Sequence, residues 1–232
     1  MYTLYIANKN YSSWSLRPWV LMRERAIPFE ERLTPFAAGA PGTNWQAFRE
    51  FSPSGLVPCL VDGDMVVWES LAIAEYLAER HDGVWPADSA ARAWARSAAA
   101  EMHAGFAALR DRCTMNVGVR VRLAELPPAL AQDIARIGEL WNQGLARFGG
   151  PFLAGNAFTA VDAFFAPVAF RVQTYGVALD GPAALYAQRL LALPSLRDWE
   201  AAALQEPWRE PGHEDEARRA GAWIEDRRAK PA

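Results

Sequence analysis

The chain holds 232 residues, 51% of them hydrophobic and 22% charged, with a formal net charge of −3. This is enough apolar material for one large or two modest cores, while the dispersed arginines offer no basic stripe for a nucleic-acid backbone, which excludes nucleic acid as a partner. Cys59 and Cys113 have neither metal-ligand spacing nor the numbers for a disulfide framework, and His81, His103 and His213 form no ligand cluster, so no metal is expected. No charged-then-apolar leader opens the chain and no run of about 18 apolar residues occurs, from which a cytoplasmic protein without a membrane partner is expected.

Thr3-Leu4-Tyr5-Ile6-Ala7 is rich in β-branched and aromatic residues and ends in the turn formers Asn8-Lys9-Asn10, the pattern of a strand entering a loop. The segment Tyr11 to Met22 predicts a helix with Ser15 as its cap and Pro18 in its first turn, ending near Ala26 ahead of Pro28. Phe29 to Leu33 predicts a second strand, parallel to the first across a right-handed crossover. Ligands of open α/β sheets sit beyond the carboxyl ends of their strands, and Ser12 and Ser13 occupy the loop at that end. Between Thr34 and Ser54, the residues Pro35, Gly39, Pro41 and Gly42 predict a loop, and Asn44 to Phe51 an irregular helix with its aromatics on one side.

The most informative block runs from Gly55 to Ile73. It reads as a strand behind Val57-Pro58, a turn at Asp62-Gly63-Asp64, a second strand, and then Glu69 and Ser70 at the mouth of an apolar helix. The free N–H groups of a helix mouth favour an anion, to which Ser70 adds a hydroxyl donor. Glu69 beside them suits an ammonium, so the pair fits an amino-acid head group. Pro58 has no N–H, leaving Val57 as a main-chain edge for an extended peptide. Cys59, inside a strand, reads as a small buried hydrophobe.

The Gly, Pro and Asp residues of His81 to Asp88 break the helical pattern, dividing the chain into a domain of residues 1–81, a linker of 82–87 and a domain of 88–232. Beyond the break, strand-like alternation all but disappears. Asp88 or Ser89 caps a helix carrying Ala95, Ala98, Met102, Phe106 and Leu109 on one face, and Pro127 to Phe148 predicts a second, with Ile134, Ile137, Leu140, Trp141 and Leu145 buried. Thr159 stands three residues before Asp162 in a capping-box arrangement that opens a run apolar nearly all round, Ala163 to Phe170. Both are read as folding residues. Two more helices are expected, Ala183 to Leu193 and Ser195 to Leu204. The charged tail from Glu206 predicts a solvated or loosely docked helix, although Trp208, Trp223 and Ile224 point to some packing.

The block from Gly55 to Ile73 resembles the glutathione-binding half of the cytosolic glutathione transferases, and the order of segments over roughly residues 1–205 agrees. The resemblance implies a thioredoxin-like α/β domain followed by an all-α domain, a cis Pro58, pairing of Val57 with the peptide backbone of glutathione, and Glu69 with Ser70 holding its γ-glutamyl end. Ser12 to Arg17 is similar to the Ser-Ser-Cys-x-Trp-Arg pattern of the zeta class in serine-type bacterial members, departing from it at Trp14 and Leu16. It implies Ser12, or second Ser13, as the hydroxyl that meets the glutathione sulfur. Leu56 is a further departure, where a basic or amide residue is common. Thr159 and Asp162 match the family's capping box. An electrophile pocket between the domains would draw on Trp14, Phe106, Arg110 and Met115. The implied activity is a detoxifying glutathione S-transferase, a cytoplasmic homodimer using glutathione as cosubstrate against a small hydrophobic electrophile. Glutathione-dependent isomerisation or reduction, or a non-catalytic ligand-binding or interaction role on the same fold, are its alternatives.

Overall fold

The computed structural model describes residues 1–37 and 43–229; Gly39, Pro41 and Gly42 of the expected loop lie outside the described residues. The first half is built from β1 (Tyr2–Ile6), α1 (Ser13–Glu24), β2 (Phe29–Leu33), the one-turn α2 (Trp45–Phe48), β3 (Cys59–Asp62), β4 (Met65–Trp68) and α3 (Ser70–Ala78). They form a four-stranded sheet of order β2-β1-β3-β4, with β1 and β2 parallel and the other pairs antiparallel. Leu4, Ile6 and Leu60 are fully buried and share one core with Leu16 and Val20 of α1 and Ile73 and Leu77 of α3. Strand period two and helix period three to four thus bury their apolar residues on the same side.

The α1 cap differs from the sequence expectation. Ser12, not Ser15, is the cap: its Oγ accepts the Ser15 N–H at 3.3 Å. Starting at Ser13 puts Pro18 inside the helix rather than in its first turn. The far end stops at Glu24, with Ala26 in a left-handed conformation at φ 52°.

The second half contains α4 (Ser89–Ala104), α5 (Ala107–Arg112), β5 (Val119–Leu123), α6 (Pro128–Phe148), α7 (Ala160–Tyr175), α8 (Gly181–Ala192), α9 (Pro194–Gln205), α10 (Pro211–Ala220) and β6 (Gly221–Asp226). Its centre is α7, buried over almost its whole length and packed against α1, α4 and α8. A helix without a wet face must satisfy its first N–H groups internally. The capping box does this: the Asp162 carboxylate accepts the Thr159 N–H at 2.9 Å, and also the Leu153 N–H at 3.0 Å and the Tyr186 hydroxyl at 2.7 Å.

Two expectations are corrected here. The helix expected to carry Phe106 and Leu109 ends at Ala104, because Phe106 adopts φ 58° and α5 restarts after it. The helical domain also holds a two-stranded antiparallel ribbon, β5 with β6. Its signal was the alternation Val119-Arg-Val-Arg-Leu123, in which Val119 and Val121 are buried.

The charged tail is docked, not loose. Glu206, Glu214 and Arg228 are all buried. Arg228 donates to both Glu214 oxygens, at 2.5 and 2.9 Å, and to Asp226 at 2.7 Å; Glu214 also accepts from the Tyr11 hydroxyl at 2.8 Å and from Asn116 at 3.1 Å. Opposite charges packed together allow this hydrophilic segment to bury. Trp223 packs against the core, while Trp208 and Ile224 stay exposed.

Two outcomes test this packing. Burial pushes the Asp162 carboxyl from 3.8 up to about 6 against its hydrogen bonds. The folded state therefore holds that proton more tightly than the unfolded one, and this contribution, complete below about pH 4, falls by on the order of 3 kcal/mol as pH rises through about 6. Asp162→Asn, which does not titrate, should flatten that part of the urea-midpoint profile; Asp162→Ala should lose about 3–5 kcal/mol at any pH by orphaning its buried donors. For the tail, Arg228→Met leaves the Glu214 carboxylate buried without its cation. Roughly 3 kcal/mol of stability should disappear, and trypsin should cut at Arg218 or Arg219 under native conditions.

Candidate functional site

Three stretches distant in sequence close around one cavity of about 770 Å³. The first domain contributes Tyr11, Ser12, Ser13 and Trp14 at the mouth of α1, with Phe36, Ser54, Leu56, Val57, Pro58 and Glu69. Opposite them stand His103, Ala107, Arg110, Asp111, Thr114, Met115 and Arg171, and the tail closes one side with His213, Glu216 and Arg219.

The two serines differ in their commitments. Ser12 caps α1, and its hydroxyl donates at 2.7 Å to Ser15 Oγ, which also accepts the Ala7 N–H at 3.2 Å. Ser13 is the first residue of α1, and its hydroxyl has no partner among the described residues. The loop leading to them is gripped by the tail: Glu206 accepts the Lys9 N–H at 2.5 Å and the Asn10 N–H at 3.2 Å. His213, 2.6 Å from Glu210, stacks between Tyr11 and Phe36 with ring centroids 4.9 and 5.3 Å away.

On the opposite wall of the first domain, the Val57-Pro58 bond is cis. The β3 ladder begins at Cys59, so the main chain of Val57 lies outside it, at the cavity. Glu69 follows β4 and precedes α3 with φ 72°, a left-handed conformation that costs a side-chain-bearing residue about 1–3 kcal/mol and is often kept at functional positions. Its carboxylate is half exposed, 3.8 Å from His103 Nε2, and hydrogen-bonds to no described residue. Burial, then the charge of Arg17, hold the His103 imidazole below its ordinary pKa, so it is neutral at pH 7.

Ser70 sits elsewhere than the sequence suggested. It is 1% exposed and outside the cavity lining, its hydroxyl oxygen accepting from Arg17 Nη1 at 3.3 Å. As the first residue of α3, it faces α1 rather than solvent. Phe106 is also withdrawn into the core, as its left-handed backbone ends α4, whereas Trp14, Arg110 and Met115 do line the cavity.

Sequence reasoning missed Tyr11, Phe36, His103, Arg171 and His213. Of these, Arg171 had a usable signal, being the one charged residue between Asp162 and Tyr175 in an otherwise apolar helix. The thiols are not candidates for reaction: burial raises both Cys59 and Cys113 to about 11, where little thiolate exists at neutral pH. Among the described residues no group of His, Cys, Asp and Glu gathers to hold a metal ion, and no helix is long and apolar enough to cross a membrane.

Comparison with known proteins sets this geometry beside the glutathione transferases. Residues 11–80 match the glutathione S-transferase N-terminal domain. A dichloromethane dehalogenase from Methylorubrum extorquens is 46% identical over 63 residues, 27% of this chain; the match spans only 21% of that enzyme. A stringent starvation protein A homologue from Pasteurella multocida is 25% identical over 164 residues, covering 70% of this chain and 71% of the relative. Among solved structures, a glutathione transferase homologue from Burkholderia with bound glutathione superposes with a TM-score of 0.65 at 23% identity, covering 87% of this chain and 97% of that one. Residues 11–80 thus match a glutathione S-transferase N-terminal domain, and the chain as a whole has the glutathione transferase fold, a thioredoxin-like half followed by a helical one.

Proposed function

We propose that the protein is a glutathione transferase that binds glutathione against its first domain, residues 1–81, and directs the thiolate at an electrophile held against the helical domain, residues 88–232. The observation that carries this reading is the convergence on one cavity of the α1 mouth, the main chain at cis Val57-Pro58 and the Glu69 carboxylate, which hydrogen-bonds to no described residue. Each group matches a part of the tripeptide. Glu69 takes the γ-glutamyl ammonium, and the N-terminus of α3, beginning at Ser70, favours the adjacent carboxylate. Val57 offers main-chain polar groups to the peptide backbone. The sulfur then points to the mouth of α1.

A free thiol with a pKa of about 8.5 is only a few per cent ionised at pH 7, and each unit of depression favours the thiolate by about 1.4 kcal/mol. A hydroxyl donor and the positive end of α1 both act in that direction. Ser13, whose hydroxyl has no partner among the described residues, is the better placed donor; Ser12 holds the mouth in shape. The thiol proton leaves to solvent, sulfur forms a bond to the electrophilic carbon, and the leaving group departs with the electron pair of the broken bond. A cytoplasmic homodimer with a detoxifying role belongs to the same proposal.

Substitutions separate the roles. Ser13→Ala should lower kcat/KM for conjugation of an activated aryl halide by about a hundredfold with little loss of stability. Ser12→Ala should cost about 1 kcal/mol in thermal unfolding through loss of the α1 cap. Undiminished turnover in both variants would remove the serines from the mechanism. Glu69→Gln should weaken glutathione binding tenfold or more in calorimetry. A wild-type protein that binds glutathione without turning over any electrophile would favour the non-catalytic reading, and one that binds none would overturn the proposal.

A further inference from the structure

Around Trp14, Arg110 and Arg171 on the cavity lining and Arg17 behind it bring together more positive charge than the described residues neutralise. Arg17 stacks on the Trp14 ring at 4.1 Å, and Arg110 approaches the same ring at 4.8 Å. Arg17 is 1% exposed, yet its Nε and Nη2 are buried without a hydrogen-bond partner among the described residues. Arg171 is 4% exposed and lines the cavity; its Nε donates to the Cys113 carbonyl at 2.8 Å and its Nη1 to the Pro167 carbonyl at 3.3 Å, leaving Nη2 free among the described residues. Arg110 is held by the carbonyls of Met102, His103 and Gly105, all neutral.

The nearby carboxylates do not balance this charge. Glu69 acts on Arg17 and is itself assigned to an ammonium; Asp133, which accepts the Leu109 N–H at 2.9 Å, acts on Arg110; Asp111 is 82% exposed and solvated. Glu216 and Arg219, on the tail side, offset one another in formal charge. Burial and the mutual repulsion of the three guanidinium groups lower the Arg17 pKa, and burial with Arg110 beside it lowers that of Arg171 to about 10. Burying unpaired guanidinium groups is costly, and a fold that retains them gains when an anion arrives.

We infer that the electrophile carries a carboxylate, seated between Arg110 and Arg171 with Arg17 behind them, and an apolar body lying against Trp14 and Met115. This rests on the proposed transferase reading and makes it more specific. The planar guanidinium fork suits a carboxylate, and a neutral electrophile would leave the three charges uncompensated. The γ-glutamyl and glycyl carboxylates of glutathione belong to the opposite wall, at the α3 mouth and along Val57.

The test compares a chlorodinitrobenzene with the chlorodinitrobenzoate that bears a carboxylate on the same type of ring, each rate divided by its uncatalysed reaction with glutathione. The wild type should prefer the benzoate in kcat/KM by tenfold or more. Arg110→Met should reduce that preference at least tenfold, through the KM for the benzoate more than through kcat, with glutathione affinity by calorimetry kept within about twofold. A preference for the neutral ring, or a selectivity that Arg110→Met does not move, would overturn the inference. So would a loss of glutathione affinity in that variant, which would assign the cluster to glutathione. Titration of benzoate alone into the wild-type protein reads the anion site without any turnover: binding that weakens in Arg110→Met supports it even where the transferase reading fails, and no binding sinks it.

Discussion

The grip of the chain's last segment on the loop between β1 and α1 is the constraint on which the candidate site depends. Two buried carboxylates do this work, Glu206 on the main-chain N–H groups of Lys9 and Asn10 and Glu214 on the Tyr11 hydroxyl. A loop ahead of a helix mouth would otherwise have solvated N–H groups and several accessible shapes, and the serines that follow would share that freedom. With the loop held, Ser12 can cap α1 and Ser13 can present a hydroxyl at one place. Arg228 makes the arrangement affordable by neutralising Glu214 where water cannot.

The same logic of burial runs through α7. Because it is packed on nearly every side, its N-terminal donors have no water to turn to, and the Asp162 carboxylate gathers them together with the Tyr186 hydroxyl. That rigid centre also carries Arg171 to the cavity. A long guanidinium side chain on an apolar helix is stabilised by carbonyls at its base while its outer nitrogen has no partner among the described residues, so the element that anchors the helical half also equips the cavity wall. Structure and chemistry are thus coupled through one helix.

Much of the first half was legible from local pattern. The strand, turn and strand from Cys59 to Trp68, the helix from Ser70, and the serine-bearing mouth of α1 depend on alternation, turn formers and caps within a few residues of one another. The cis bond at Pro58 came through resemblance and the capping box from the spacing of Thr159 and Asp162, and both are present. The tail was misread for a physical reason: Glu, Asp and Arg in sequence signal a wet face, and only a fold that brings Glu214, Arg228, Tyr11 and Asn116 together converts those charges into an interior network. Ser70 was misplaced similarly, since a residue at a helix mouth can face either a ligand or a neighbouring helix, and here Arg17 claims its hydroxyl.

By itself the sequence determined the local elements of the first half, the Ser12-Ser13 mouth, the main-chain edge at Val57 and the place of Glu69 before a helix, because each is set by short-range backbone chemistry; the fold type came through resemblance. The tertiary structure decided which further residues join them at the cavity and behind its wall. Tyr11 and Glu214 meet across 203 positions of chain, and Arg17, Arg110 and Arg171 come from three helices. Their energy is a matter of distance and dielectric, quantities that no linear pattern carries until the chain has closed on itself.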